Sequence, residues 1–530
     1  MTRLPPAGSA FENALTFARL GRDAPAWLRR TVTLDDARRD VVTALRSRRA
    51  RFLDLVDRAI YRQPGSPYRA LLQHVGCELG DLRRAVAHDG LEPTLRDLAA
   101  RGVYVTDDEL RGRTPIVRGS LTLTPAPKDF RNPLISPHVV MYTGGSSGRP
   151  GKVLRSLDTL ADTAKMALLV RSAHRALDYR AGLWQMNPAT VSLYMAKLGA
   201  RMVHWGHPAS PLPLPVRMAT RYVGALMSRA GHSLPRPIPL RIEVPPSLAR
   251  LLEQQVREHG PIELFTTPSL AVRAAVAAAE HGFPLTGVLF NTRGEPLTEA
   301  RRLEIEAADA QVVGLYGSME LTYVSATCPA GASADDGHLW AHWYAAITRR
   351  RAVANVGIEV DALLVSTLSP HAAVIGLNAE MGDSADLRDG GSTCCELGAL
   401  GLTTRVSNIR GFDKLTGEGM TVARSRLLNA LELDLPARFG GSSIDYQIVE
   451  EQGGAGLTRV VLLAHPRLGA LDEGALRDAI LAELDRGDLV DRHMAAVWRQ
   501  RGTVDVRRAP PRATARGKVL PFYFDRAGRA

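Results

Sequence analysis

The sequence predicts an α/β protein: a large N-terminal portion with mostly parallel sheets flanked by helices, plus a small mobile α+β C-terminal domain. Three observations predict it. Between Leu193 and Tyr316 short apolar runs alternate with helix-period segments, as strands joined by crossover helices do. Around Thr403–Gly419 the texture changes, and strand- and helix-period segments mix in the last 120 or so residues. At 530 residues the chain is also too long for one ordinary core. Expected boundaries are 1–130 for a mostly helical region packed on the core, 131–409 for the core, and 410–530 for a C-terminal lid.

In chain order, Leu34–Ile60 carries Val41, Val42, Leu45, Phe52, Leu53, Val56 and Ile60 near helical spacing, with Arg and Asp on the other face. Gln63-Pro-Gly-Ser-Pro breaks it. Leu95–Arg101 reads as a short helix capped by Thr94, and Ser156 as the cap of a helix running to Leu177. Strands are expected at Ile262–Phe265, Val288–Asn291 and Val312–Tyr316. Beyond the change of texture come a helix over Arg424–Glu432, strands Tyr446–Glu450 and Val460–Ala464, a helix over Asp472–Arg486, and a strand Val504–Val506. No internal repeat is found.

Composition narrows the function. The net charge is +12, but only six of 67 basic residues are lysine and the arginines are scattered, so the excess reads as compositional drift rather than a nucleic-acid surface. Where a lysine survives this bias, a compact ammonium is favoured over a planar guanidinium. Four cysteines make no disulfide framework. No apolar run reaches membrane-spanning length and the N-terminus has no apolar signal core, so a soluble cytoplasmic protein without a membrane or nucleic-acid partner is expected, with a homodimer open.

His138–Val153, HVVMYTGGSSGRPGKV, organises the chain. Val139–Tyr142 reads as a buried strand and Lys152-Val153-Leu154 as a second one. Between them Thr143, Gly144, Gly145, Ser146, Ser147 and Gly148 can turn backbone N–H groups and hydroxyls onto a phosphate. It is no Walker A loop: the spacing is one residue too long and Val153 replaces the magnesium-binding hydroxyl. A surface hairpin turn explains such a loop equally well.

Four further segments carry chemistry. In Tyr316-Gly317-Ser318-Met319-Glu320 a carboxylate follows a strand, at the sheet edge where α/β proteins bind ligands; it can hold Mg²⁺ or simply start a helix. Gly294-Glu295-Pro296 follows another strand and can seat a flat ring or form a turn. Gly382-Asp383 follows the alternating stretch Val365–Leu377 and places an acid at a strand end, able to accept from a ribose diol, though turn aspartates are common. Lys518 ends an ordered Pro510–Val519 stretch where chain termini usually fray.

Taken in order, these segments resemble the motif set of the adenylate-forming superfamily (acyl-CoA synthetases, adenylation domains and luciferases), nearest to its phenylacetate–CoA ligase branch. TGGSSGRPGK is similar to its phosphate loop, TRGEP to its adenine segment, YGSME to its Tyr-Gly-x-x-Glu motif, and the Asp of Gly382-Asp383 to its ribose-binding aspartate. RGFDK, with Arg410, Asp413 and Lys414, is similar to the hinge, and PRATARGK to the catalytic-lysine motif. FTTPSLAV and TRGEPLTEARRLEIE carry the likeness to the branch.

The resemblance implies ATP-dependent activation of a carboxylic acid, of aryl or arylacetic type by kinship, as an acyl-adenylate with release of pyrophosphate, then transfer to CoA. Transfer to an amine, a carrier-protein thiol or a small nitrogen nucleophile in secondary metabolism stays open, as does a non-catalytic nucleotide-binding or basic scaffold. It implies Lys518 and Glu320 as catalytic residues, Glu320 carrying Mg²⁺. Thr143–Gly148 would hold phosphates, Gly294–Pro296, Tyr316 and Gly317 the adenine, and Asp383 with Arg410 the ribose. Cys328, His338, Cys394 and Cys395 correspond to ligands that hold structural zinc in some members of the branch. Here the adjacency of Cys394 and Cys395 makes one tetrahedral site harder to close through both sulfurs. Two segments depart from the branch: Gly376–Asp383 lacks its arginines, and Ile409 replaces the Gly before Arg410.

Overall fold

Largely buried strands build one large sheet, and the chain packs helices against it. The computed structural model describes residues 7–524 apart from 143–151, 185–188, 208–213, 240–244, 354–357, 390–393, 412–423, 453–457, 488–491, 493–494, 497, 501 and 515–516. Its 12-stranded sheet has two halves. In one, strands Arg180–Trp184, Met202–His207, Ile238–Pro239, Ile262–Thr266, Val288–Arg293 and Gln311–Ser318 run parallel. Their fully buried residues, among them Leu183, Leu264, Phe290 and Val313, are what a sheet covered on both faces needs.

The other half is antiparallel and was not legible in the sequence. Strands Thr322–Thr327, Gly337–Leu339, Tyr344–Val353, Ile358–Thr367, Ala379–Asp389 and Thr404–Gly411 extend the sheet from Gln311–Ser318. Helices between Arg48 and Leu110 cover it, whereas helix Ala7–Leu28 packs with the parallel half, Leu20, Ala24 and Leu28 sharing a core with Leu183 and Trp205. Phe52, Leu71, Leu82, Leu95 and Leu98 share a core with Ile347 and Leu364. The first of the expected helices is broken into Leu34–Arg46, Arg48–Val56 and a π turn over Asp57–Tyr61. A two-stranded hairpin, Ile116–Arg118 with Leu121–Leu123, interrupts the helical region.

Capping was read correctly at one site and not at another. The Ser156 hydroxyl accepts from the Thr159 N–H at 3.0 Å and starts helix Leu157–Ala173. Thr94 does not cap: that helix spans Leu91–Ala100, and the Thr94 hydroxyl bonds back to the Gly90 carbonyl at 2.6 Å.

The last part of the chain builds its own sheet, in the order Val504–Arg508, Thr458–Ala464, Tyr446–Gln452, Phe522–Phe524, backed by helix Glu473–Asp485. Leu427, Tyr446, Ile448, Leu462 and Leu476 form its core. Among the described residues no helix is long and apolar enough to cross a membrane.

Candidate active site

Strand Val139–Tyr142 pairs antiparallel with Lys152–Arg155, Val140 opposite Leu154, so the expected strand–loop–strand hairpin is present. Thr143, Gly144, Gly145, Ser146, Ser147 and Gly148 lie outside the described residues, as do Asp413 and Lys414.

Strand Val288–Arg293 runs further than the sequence suggests and delivers Gly294 at its C-terminal end. Gly294 has φ +80°, a conformation glycine adopts without strain. A Cβ there would meet the Lys518 ammonium at 2.7 Å, because Lys518 Nζ donates to the Gly294 carbonyl at 2.6 Å. The tail is held in place by its backbone. Ser269 Oγ accepts from the Val519 N–H at 3.0 Å, and Arg301 Nη2 donates to the Val519 carbonyl at 3.0 Å.

Arg301 is the hub of this docking. Its guanidinium, buried at 1 % exposure, also reaches Glu295 at 2.9 Å and Glu432 at 3.1 Å, both carboxylates sealed from solvent. Glu295 further accepts from the Ser269 hydroxyl. All these bonds fall on Glu295 Oε2, while its Oε1 is buried without a hydrogen-bond partner among the described residues. Ser443 on Glu304 and Arg467 on Glu280 add contacts between the same two units.

Tyr316, Gly317 and Ser318 remain in the strand, and the chain then turns back into Thr322–Thr327 instead of entering a helix. The turn needs its glycine: a Cβ on Gly317 would lie 1.9 Å from the Thr322 carbonyl oxygen. Glu320 sits in that turn, largely shielded, with one oxygen 3.1 Å from Arg111 Nη1. Asp383 lies within strand Ala379–Asp389 and not at a strand end, because Gly411 pairs with it. It accepts from the Tyr316 hydroxyl at 2.9 Å, which brings the expected ribose and adenine residues together. Arg410 stands one register position away, opposite Ser384, and binds Asp335 at 3.0 Å.

The sulfur cluster closes. Cys328 Sγ is 3.4 Å from Cys394 Sγ and 3.5 Å from Cys395 Sγ; His338 Nε2 is 3.1 Å from Cys395 Sγ and 3.8 Å from Cys394 Sγ. All four ligand atoms lie within 4.8 Å of one another, so adjacency does not keep the two sulfurs apart. A tetrahedron of thiolates and imidazole around zinc spaces its ligands by roughly 3.3–3.8 Å. His338 Nδ1 donates to the Leu402 carbonyl at 2.6 Å, so Nε2 carries the lone pair, which lies among the sulfurs and accepts from Arg405 Nη1 at 3.0 Å. The Cys395 thiol is pushed down to about 7, first because it accepts from Cys328 and then from backbone N–H groups of Gly398 and Leu397. Arg405 brings a fixed positive charge within 3.2 Å of Cys394.

Sequence reasoning missed Arg301, Ser269, Arg111 and Arg405. Each is an ordinary residue in an arginine-rich chain, and only the folded geometry singles it out.

No family model matches the chain, and no curated protein does. Solved structures to which the chain shows similarity include 2-hydroxyisobutyryl-CoA ligase in complex with 2-HIB-AMP and CoA, 15% identical over 99% of this chain and 94% of that one, TM-score 0.46. Another is the amide bond synthetase McbA from Marinactinospora thermotolerans, 14% identical over 92% of this chain and 98% of that one, TM-score 0.40. A third is the anthranilate CoA ligase AuaEII in complex with anthranoyl-AMP, 13% identical over 90% and 95%, TM-score 0.45.

Proposed function

We propose that the chain is an adenylate-forming enzyme that activates a carboxylic acid with ATP, releases pyrophosphate and passes the acyl group to CoA. The observation that carries this reading is the Lys518 ammonium on the Gly294 carbonyl at the end of strand Val288–Arg293, whose neighbour Gln311–Ser318 carries Tyr316 hydrogen-bonded to Asp383. A carboxylate is a poor electrophile because its charge is delocalised, and the incoming triphosphate repels it. In this reading Lys518 bridges the acid's carboxylate and the α-phosphate, where charge concentrates in the transition state. Asp383 accepts from the ribose hydroxyls. Tyr316 and the Gly294–Pro296 backbone flank the adenine, and Thr143–Gly148 take the β and γ phosphates.

Glu320 fits a magnesium site in donor chemistry: one shielded carboxylate at a sheet edge, its charge now balanced by Arg111. Bound magnesium would neutralise phosphate charge and stabilise departing pyrophosphate. Cys328, His338, Cys394 and Cys395 fit a structural zinc ion in spacing and tautomer. Zinc there would tie the turn after Thr322–Thr327 to the segment preceding Thr404–Gly411.

The proposed division is a core ending near Ile409 and a lid from Arg410 onward, turning at Arg410–Lys414. For acyl transfer the lid must release the Arg301–Glu295–Glu432 network and withdraw Lys518. ATP–pyrophosphate exchange over a panel of acids tests the activation step. Adding CoA and looking for a thioester by mass separates CoA from amine or carrier-protein acceptors. Exchange with no acid in the panel, together with no binding of ATP and magnesium, overturns the proposal.

A further inference from the structure

Among the described residues, the largely shielded guanidinium of Arg293 next to this site has no carboxylate hydrogen-bonded to it. Arg293 precedes Gly294 and, by strand alternation, shares a sheet face with Asn291, which pairs with Phe265. Its guanidinium carbon lies 4.9 Å from the Phe265 ring centre and 5.5 Å from that of Tyr323, and Nη1 bonds the Tyr323 hydroxyl. The Tyr194 hydroxyl also lies within hydrogen-bonding reach of the guanidinium, while Nε and Nη2 are closed to solvent and make no hydrogen bond of good geometry among the described residues. The carboxylate closest in electrostatic influence is Glu263, and both its oxygens are engaged, by Arg171 at 2.8 Å and Asn291 at 2.7 Å. Tyr194, 2 % exposed, stands edge-on to Phe265 at 6.3 Å and completes an aromatic wall around the guanidinium. Nearby Arg155 is buried too, with Nε unpartnered, and Tyr194 and Tyr323 lie in its field as well.

A guanidinium taken out of water without a countercharge is costly, and one held at a strand's ligand-binding end is well placed for an anion delivered with substrate. That anion is not the reacting carboxylate, which falls to Lys518 on the Gly294 carbonyl at the strand's end. The rings of Phe265, Tyr194 and Tyr323 suit a flat body between the two anions.

We propose that Arg293 binds a second carboxylate of the acid, so that the enzyme activates one carboxyl of a flat diacid while Arg293, Tyr194 and Tyr323 hold the other. This rests on the adenylation reading above. It deepens that reading by naming the substrate class, and it makes Arg293 a specificity-determining residue.

The test is ATP–pyrophosphate exchange with matched pairs, phenylacetate against 4-carboxyphenylacetate and hexanoate against adipate, using wild type, Arg293→Met and Arg293→Lys. The wild type should prefer the better diacid over its monoacid by about a hundredfold or more in kcat/KM, because a site built for a polar group rejects the analogue lacking it. Arg293→Met should lose that preference while exchanging monoacids as well as the wild type or better, and Arg293→Lys should restore part of it. Equal loss for both members of a pair would show that the arginine serves the reacting centre, and equal wild-type use of both would leave it no substrate anion; either result overturns the inference. Thermal unfolding gives a second readout. Arg293→Met should melt at or above the wild type without ligand, and the diacid should raise the melting temperature of the wild type alone. A variant that melts well below the wild type makes Arg293 structural and overturns the inference. Exchange with monoacids only leaves adenylation standing without this inference, whereas exchange with no acid and no heat on titrating ATP with magnesium overturns both.

Discussion

The Lys518 ammonium lies 2.6 Å from the carbonyl oxygen of Gly294, so a residue near the C-terminus touches the end of a central strand more than two hundred positions earlier. The contact is not a loose surface encounter. Ser269 and Arg301 fix the neighbouring Val519 backbone on both its N–H and its carbonyl.

Replacing Lys518 by alanine should lower ATP–pyrophosphate exchange by roughly 10²–10³-fold, the usual cost of one transition-state charge partner. Transfer from a supplied acyl-adenylate should change little. Stopped assays of the two half-reactions measure this.

Gly294→Ala should damage the same step by another route. The side chain would be forced into φ +80° and against the Lys518 ammonium at 2.7 Å. Exchange should fall at least tenfold, while the circular dichroism spectrum stays that of the wild type.

Arg301→Met should loosen the docked tail. Two buried carboxylates, Glu295 and Glu432, would lose their shared cation, and removing one partner of a buried network costs about 3–5 kcal/mol. Limited proteolysis should then cut between the core and the lid at lower protease concentration than in the wild type.

Purified protein should carry close to one zinc per chain by elemental analysis, and Cys328→Ser should lose it. A chelator strong enough to strip the metal should lower the melting temperature of the wild type, since structural zinc adds folding free energy. A zinc-free wild type with unchanged stability would remove the metal from the account.

Acid should destabilise the fold through two histidines kept neutral by burial. His204 is depressed to about 4 and His342 to about 3. Below an unfolded-state value near 6.5 the unfolded chain binds protons that the folded chain refuses, so stability falls as pH drops from there toward the folded values. Each contributes a slope of about 1.4 kcal/mol per pH unit at most. Melting curves between pH 4 and 7 should flatten in His204→Leu and His342→Leu.

Three strands of the parallel half, Ile262–Thr266, Val288–Arg293 and Gln311–Ser318, were legible because they are apolar runs broken by helical periods, and the cap at Ser156 announced its helix. The antiparallel half was not. Strands such as Tyr344–Val353, with Arg349, Arg350 and Arg351 in succession, lack a clean alternation, because long arginine stems reach acids such as Glu380 and Glu359 across the sheet. At the site, the sequence marked Lys518, Tyr316 and Asp383 but could not bring them together. It misplaced Asp383 at a strand end, since nothing local reveals that Gly411 pairs with it. The roles of Arg301, Glu295 and Arg293 are set by burial and by which carboxylate is left over, which are properties of the folded chain.

The most direct test of the central claim is ATP–pyrophosphate exchange by wild type and Lys518→Ala, side by side with transfer from the corresponding preformed acyl-adenylate. Exchange that collapses in the variant while transfer persists is the predicted result. Equal loss of both half-reactions, or exchange that survives the substitution, would contradict it.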